Sequence, residues 1–594
     1  MDLRRRKRRI FNMEKIIFDI ETDGLLDTCT KVHCLVMKVE ATDHMSYMEV
    51  ATTDSEIRTA VNKLRNSHVI GHNILGFDLE ILKRFYGLSV PIDQITDTLI
   101  LSRLIYPDIR QEDASVRRLE PRLWGSHSLE AWGYRLEHYK GDFGNETEDF
   151  QELSEEMIDY CKNDVELTNI LWKNLRAKLP SEKSIRLEHN IAEICFEQEK
   201  TGFCFNEEHA IKLYSKLSKR RDELSEELKD VFGTWLINEG LRRNELYTKV
   251  KIIEFNPNSR QHIAKRLKEL RGWKPKEFTP TGEPKVDESI LKKLDYPEAK
   301  LMSEYLMINK RIGQLAEGDQ AWLKLVKEGR LHGRVNTMGA STSRASHSHP
   351  NLAQVPNTNA PFGKDCRALF VPNTGQKLLG IDVSGLELRC LSHYLAKYDN
   401  GEYGKKLLEE DIHSVNQEAA GLATRDQAKT FIYGFLYGAG DQKIGEIVGK
   451  GRKEGSSLKK KFLSELPALK SLREAVQRKA TERGTLRGLD GRLVPVRSKH
   501  AALNTLLQSA GAIICKQWVV EMHSLLNKKG FKRGEDYDQV AFVHDEVQLT
   551  VKENYAEEIG RVCVEAITST GIGFGLRIPL SGEYSIGNNW GETH

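Results

Sequence analysis

Apolar and polar positions alternate first in "EKIIFDIETDGLL", a β-branched run from Glu14 that ends in acids and a glycine turn. A second strand-like segment, "HCLVMKVE", follows, and the pair predicts a mixed α/β domain running to about residue 183. From about 184 to 232 the apolar positions fall at helical spacing among many charges, which predicts an exposed, elongated helical lobe. Residues 236 to 286 are basic and irregular; within them "FNPNSRQHIAKRL" predicts a turn and a new helix capped by Asn258 or Ser259. Strand and loop character returns over 331 to 391, helices dominate 411 to 480, and 537 to 552 reads as a hairpin. No internal repeat or low-complexity segment interrupts the order.

The 594 residues exceed one hydrophobic core, and roughly three or four domains are expected. With 39% hydrophobic and 29% charged residues and no apolar run of bilayer length, a membrane role is excluded. The net charge of +3 says little about partners, because positive charge is local, as in "GRKEGSSLKKKF" (451 to 462) and "AKRLKELRGWKPK" (264 to 276). Nine scattered cysteines without CxxC pairs predict reduced thiols, no disulfide framework and no structural zinc. The block "MDLRRRKRRIFN" (1 to 12) reads as a basic disordered extension and is set aside from the fold.

Acids are placed with more order than a solvated surface requires. Asp19 and Glu21 lie two apart on a strand and so project to one face. "GHNILGFDLEIL" adds Asp78, and "YCKNDVELT" adds Tyr160 and Asp164, one helical turn apart. Four acids and a phenol brought together can hold two divalent metals and hydrolyse a phosphodiester. "DIE", "HNxxxFD" and "YxxxD" resemble the three motifs of DnaQ-like 3′→5′ proofreading exonucleases. That resemblance implies metal ligation by Asp19, Glu21, Asp78 and Asp164, with Tyr160 orienting the attacking water.

A second constellation lies downstream. In "TRDQAKTFIYGFLYGAG" Arg425, Lys429, Tyr433 and Tyr437 recur every four residues on a helix that a glycine stops. Two cations and two rings on one face suit a ligand with phosphates at one end and a base at the other. "LGIDVSGLELR" ends a strand at Asp382 before Glu387, and "DIHSVN" adds His413. In "AFVHDEVQLT" three ionisable residues, His544, Asp545 and Glu546, interrupt an apolar strand, which is costly without compensation. Strand alternation sends Asp545 and Glu546 to opposite faces, with Asp545 toward Asp382 as a metal-bridging pair; His544 falls on the Glu546 side unless the tip bends.

"DVSGLELR", "RDQAKTFIYGFLYG" and "VHDE" resemble motifs A, B and C of the family A DNA polymerases, the bacterial polymerase I group, and most closely the replicative enzymes of short-tailed T-odd phages. "SRASHSHPNLAQVP", "FNPNSRQHI", "CRALF" and "NTLLQSAGA" add to the likeness, which runs in order from about residue 15 onward. It implies an α/β and α+β multidomain chain: an RNase H-like exonuclease domain (13–183), a mainly helical thumb and linking region (184–330), palm (331–392), fingers (393–500) and palm again (501–594). It also implies two magnesium ions at each site, with Asp382, Asp545 and the Val383 carbonyl as polymerase ligands. Glu387 would gate the sugar, while His413, Arg425 and Lys429 hold the triphosphate, Lys429 protonates pyrophosphate, and Tyr433 packs beside sugar and base. Arg344, Tyr437, Asn504, Gln508, His544, Glu546, Ser259 and Arg260 would contact DNA, Glu546 near the primer terminus.

The implied substrates are primer-template DNA and dNTPs, in the cytoplasm of a host cell if the source is viral, with a replisome helicase-primase as a candidate partner. Thioredoxin is not expected, because between "VFGTWL" and "EFNPNSR" the thumb holds only "INEGLRRNELYTKVKII". A repair or organelle-type polymerase of the same family is the alternative reading.

Overall fold

The computed structural model describes residues 13–40, 46–116, 118–139, 152–238 and 250–594; the basic block 1–12 and the centre of the short thumb segment lie outside them. Near the N terminus a sheet has the order β3-β2-β1-β4-β5, from β1 (Lys15–Thr22), β2 (Val32–Glu40), β3 (Ser46–Ala51), β4 (His68–Gly71) and β5 (Ile95–Asp97). β1 runs antiparallel to β2 and parallel to β4, so it is central and buries Ile16, Ile17 and Phe18 on both faces. Ile16, Phe18 and Ile20 pack with Ile57, Val61 and Ile81 on one side. On the other side Ile17 and Val36 meet Cys161 and Val165 of the helix Glu155–Arg176.

A second sheet forms the centre of the C-terminal part. It is antiparallel, with β6 (Gln376–Val383), β7 (Tyr537–Val543), β8 (Glu546–Lys552) and β9 (Gly582–Gly587) in the order β7-β8-β6-β9. Leu379, Ile381, Val547 and Leu549 pack on Trp518 of the helix Ala502–Lys528 and on Ile559 and Val562 of Ala556–Gly573. The opposite face meets Phe203, Phe370, Trp322 and Trp590. Gly380 is required there, since a Cβ would stand 2.3 Å from the Thr593 carbonyl oxygen.

From β6 the helix Leu386–Asp399 leads into a helical projection that includes Ile412–Ala420, Arg425–Leu436 and Pro467–Arg483. A ribbon, Thr485–Arg487 with Leu493–Pro495, returns the chain to Ala502–Lys528. A second projection pairs the helices Glu207–Phe232 and Pro297–Ile312, and Ser259 caps Arg260–Arg271 by accepting the His262 N–H. Part of the stretch read as irregular is a ribbon, Thr234–Asn238 with Val250–Glu254, whose cross-strand pair Leu236 and Ile252 is 68% and 69% exposed.

The expected exposed helical lobe is corrected. Gly202, at φ 66°, ends the first helix, Glu182–Thr201, before the short strand Phe203–Phe205 and the helix Glu207–Phe232. The first helix is packed between the two sheets and buries Leu187, Glu188, His189, Ile191 and Gln198. Its polar residues looked like solvated positions because their partners, Lys516, Asp97 and Gln539, lie far away in sequence.

Candidate active sites

In the first sheet Asp19 and Glu21 share the face of β1 turned to the helix Glu155–Arg176, as alternation requires. That helix brings Cys161, whose Sγ lies 3.6 Å from Asp19 Oδ2; one ligand atom each from Asp19, Glu21 and Cys161 falls within 4.8 Å of the others. Asp78 opens the helix Asp78–Tyr86 and accepts the Ile20 N–H at 3.3 Å, which seats it between the two β1 acids. Burial pushes its carboxyl up to about 7, and the charges of Asp97 and Asp164 push the same way. Asp164 is 3% exposed, with Tyr160 one turn before it on the same helix. The four acids therefore converge, and their hard oxygen donors fit a magnesium ion.

Two neighbours had gone unread in the sequence. Cys161 stands inside the quoted motif but resembles an ordinary core residue, and burial holds its thiol well above the usual range. Asp97 caps the helix Thr98–Ile105 and accepts N–H groups from Asn73, Leu75 and Leu99 at 3.0, 3.2 and 2.9 Å. An acid before a helical run was the available signal for it.

In the second sheet Asp382 lies near the end of β6, and its cross-strand partner is Glu546. Asp545 reaches it from the turn, where its carbonyl accepts the Val383 N–H at 3.1 Å. Burial raises Asp382 to about 7, helped by the charges of Asp545 and Glu546. Burial likewise raises Asp545 to about 6, with Glu387 adding repulsion. Paired acids held this close to neutrality suit a divalent cation that removes their mutual repulsion.

Two expectations for the hairpin are revised. His544 has φ 60° and shares a two-residue turn with Asp545, so neither follows strand alternation. Glu546, expected as a DNA contact near the primer terminus, is 5% exposed and lies beneath the site. It accepts from Gln548 Nε2 at 2.7 Å and from the Trp590 indole, pairs with His594 at 2.9 Å, and has Arg367 3.7 Å away. These partners hold its carboxyl low against the effect of burial.

A cavity of about 150 Å³ opens beside Asp545 and is lined by Arg344, Glu387, Tyr437, Lys516 and His544. Gly385, at φ 59°, precedes the helix that carries Glu387. The Tyr437 hydroxyl donates to Glu387 Oε1 at 2.8 Å, and Arg344 stands 3.7 Å from that oxygen. Along Arg425–Leu436 the predicted stripe forms: Lys429 is exposed, Tyr433 lies 6.3 Å from the His413 ring, and Tyr433 stacks on Tyr437. Arg425 is engaged by Asp411, with contacts of 2.6 and 3.0 Å.

Asn504 and Gln508 form the half-exposed edge of the largely buried helix Ala502–Lys528. Asn504 also lines a basic cleft of about 680 Å³ with Arg452, Lys459, Lys460, Arg473 and His500. Ser259 and Arg260 are not brought to either acid set; Ser259 spends its hydroxyl on the helix cap, and Arg260 lines a cavity made of residues 277 to 287. Between the first sheet and the ribbon of Arg334–Asn336 with Ser346–Ser348 lies a cleft of about 750 Å³ whose walls include His72, Asn73, Arg103, Arg110, Arg334 and Arg497.

Residues 235–592 match the profile of DNA polymerase family A, and residues 2–180 match that of a 3′–5′ exonuclease. The DNA-directed DNA polymerases of Enterobacteria phage T3 and Escherichia phage T7 are each 38% identical over 98% of this chain and 100% of their own length. DNA polymerase I of Pseudomonas aeruginosa is 29% identical over 57% of this chain and 39% of its own. A solved structure, the POL domain of Pol1 from M. smegmatis in complex with DNA primer-template and dNTP, superposes with a TM-score of 0.76 at 18% identity. It covers 99% of this chain and 97% of that one, a likeness of fold.

Proposed function

The chain belongs to DNA polymerase family A and carries a 3′–5′ exonuclease domain, and from that premise we propose how its residues divide the work. It is a DNA-directed DNA polymerase of the phage replicative type; the alternative of a repair or organelle-type enzyme is not favoured, since likeness to the phage enzymes spans nearly the whole chain. Primer-template DNA and dNTPs are its substrates. The second sheet with residues 331–392 and 501–594 is the palm, 393–500 the fingers, and 184–330 the thumb and linking region, except that Glu182–Thr201 belongs between palm and nuclease.

Asp382, Asp545 and the Val383 carbonyl would hold two magnesium ions, which when bound lower the pKa of the primer 3′-hydroxyl and neutralise charge on the triphosphate. Lys429, Arg425 and His413 bind the triphosphate, and Lys429 delivers a proton to the leaving pyrophosphate. Arg425 must exchange Asp411 for phosphate oxygens, a step open to it because both side chains are solvated. Glu387, anchored by Tyr437, stands where a ribose 2′-hydroxyl would fall, and Tyr433 packs beside sugar and base. Arg344, Tyr437, Asn504, Gln508 and His544 line the path of the duplex, while Ser259 and Arg260 offer the thumb to DNA at a distance from the chemistry. DNA affinity should therefore fall steeply with salt.

At the other site Asp19, Glu21, Asp78 and Asp164 would hold two magnesium ions, and Tyr160 orients the water that attacks the terminal phosphodiester. The arginine-lined cleft beside the first sheet takes the frayed single-stranded primer end. Thioredoxin is not a partner in this proposal. The phage relatives align over 711 to 712 residues against 594 here, so they carry segments this chain lacks. A thioredoxin-dependent rise in product length would overturn it.

The observation that carries the polymerase assignment is the juxtaposition of Asp382 and Asp545 beside the Glu387 cavity. Primer extension with magnesium tests it, comparing dNTPs with rNTPs for the parent and Asp545→Ala. Extension of dNTPs by the parent alone is expected, and undiminished extension by the variant refutes the assignment.

A further inference from the structure

Glu188 and His189 are fully buried on the helix Glu182–Thr201 and take no part in the chemistry assigned above. Consecutive side chains leave a helix about 100° apart, so the two enter different halves of the molecule. Glu188 accepts from Arg492 Nη1 and, at 2.6 Å, from Lys516 Nζ; Arg492 in turn holds Asp490 at 2.6 Å. Two cations and two carboxylates balance, which is what lets four charges remain in a dry interior. Lys516 also lines the cavity that contains Glu387 and Asp545. Arg492 and Asp490 lie in the loop that joins the two strands of the ribbon by which the fingers return to the palm.

His189 faces the nuclease. Its Nδ1 lies 2.8 Å from the Ile185 carbonyl, which can only accept, so Nδ1 carries the hydrogen. The lone pair of Nε2 is then free to accept the Asp97 N–H at 3.0 Å. Asp97 holds the backbone of Asn73 and Leu75, the loop that leads into Asp78. Hydrogen bonds thus run without a gap from the helix to the segment that presents a nuclease acid.

We infer that His189 is a positioning residue of the exonuclease site and that Glu188 beside it positions the polymerase cavity, so that one helix sets the geometry of both. The inference rests on the two-site reading above. It is tested with the full chain, by nuclease assay on a single-stranded oligonucleotide and by primer extension, each with kcat and KM resolved. His189→Leu removes the acceptor and should lower nuclease kcat about tenfold, as loss of a ligand-orienting partner does, with extension within about twofold. His189→Gln, whose amide oxygen can accept the same N–H, should restore most of the loss. Glu188→Gln should do the reverse, lowering extension about tenfold and leaving the nuclease within about twofold.

Equal losses in both activities for either residue, or no rescue by glutamine, would reduce the helix to a structural support and overturn the inference. If His189→Leu does not fold, His189→Asn, too short to reach Asp97, takes its place, and parent-like nuclease activity in it is equally fatal. Asp19→Ala calibrates the nuclease assay. A parent without nuclease would sink the two-site reading itself, whereas an active parent with insensitive variants sinks only the inference.

Discussion

At the proposed nuclease site the acids come from one strand and two helices within residues 19 to 164, and Asp78 is fixed by a backbone N–H of the strand that bears two of the others. At the proposed polymerase site Asp382 lies in a strand, Asp545 in a two-residue turn, and more than a hundred residues separate them. The first site is set by packing of regular elements, the second by the shape of one turn and by what lies beneath it. Beneath it is Glu546, clasped by Trp590, Gln548 and His594. A site that depends on a turn needs an underlying scaffold; a site framed by helices carries its own.

The sharpest way to break the comparison is Asp19→Ala, which should abolish removal of a mismatched 3′ end by about a thousandfold and leave extension intact. Equal loss of synthesis would mean that the sites are not separate. Next, Glu387→Ala should reduce discrimination against ribonucleotides by about a hundredfold, close to 2.7 kcal/mol, measured as the ratio of kcat/KM for dNTP and rNTP. An unchanged ratio would remove Glu387 as the sugar gate.

Glu546→Ala probes the scaffold. It leaves the Trp590 N–H without its acceptor and Arg367 without its countercharge, and should cost about 3 kcal/mol, on the scale of a broken buried pair. Denaturant unfolding should show this in the transition of the second sheet, with nuclease activity retained. If stability is unaltered, the turn is held by something else.

Smaller is the effect of pH. If Asp382 and Asp545 are the proposed ligands, protons compete with magnesium for them, since they stand at about 7 and about 6. Both are protonated below that window and ionised above it, so the magnesium needed for half-maximal extension should fall about tenfold between about pH 6 and about pH 8. A flat requirement would show that metal-free proton affinity does not limit the site. Smallest of all, Cys161→Ser should change magnesium-dependent nuclease activity by no more than about threefold, because a thiol is a poor ligand for that ion. A loss beyond tenfold would make the thiol part of the site.

Much of this was legible in the order of residues. Alternation placed Asp19 and Glu21 on one face, helical spacing placed Arg425, Lys429 and Tyr433 on one stripe, and both arrangements stand in the structure. What could not be read were partners fixed at long range. The burial of Glu546 was hidden because Trp590, which donates to it, and His594, which pairs with it, lie far along the chain, and His544 escaped alternation because its φ is positive. The helix Glu182–Thr201 looked exposed for the same reason: a buried glutamate is recognisable only once Arg492 and Lys516 are beside it.

The interleaving of β6 with strands from beyond residue 537 also bears on how the molecule comes into being. The nuclease sheet is complete once the chain has reached β5, from local contacts that form quickly, whereas Asp382 waits for β8 and β9 across a long loop closure. During synthesis the degrading half can therefore fold before the building half exists. A ribosome that stops between β6 and β7 would release a sheet suited to shortening DNA ends with no means of extending them.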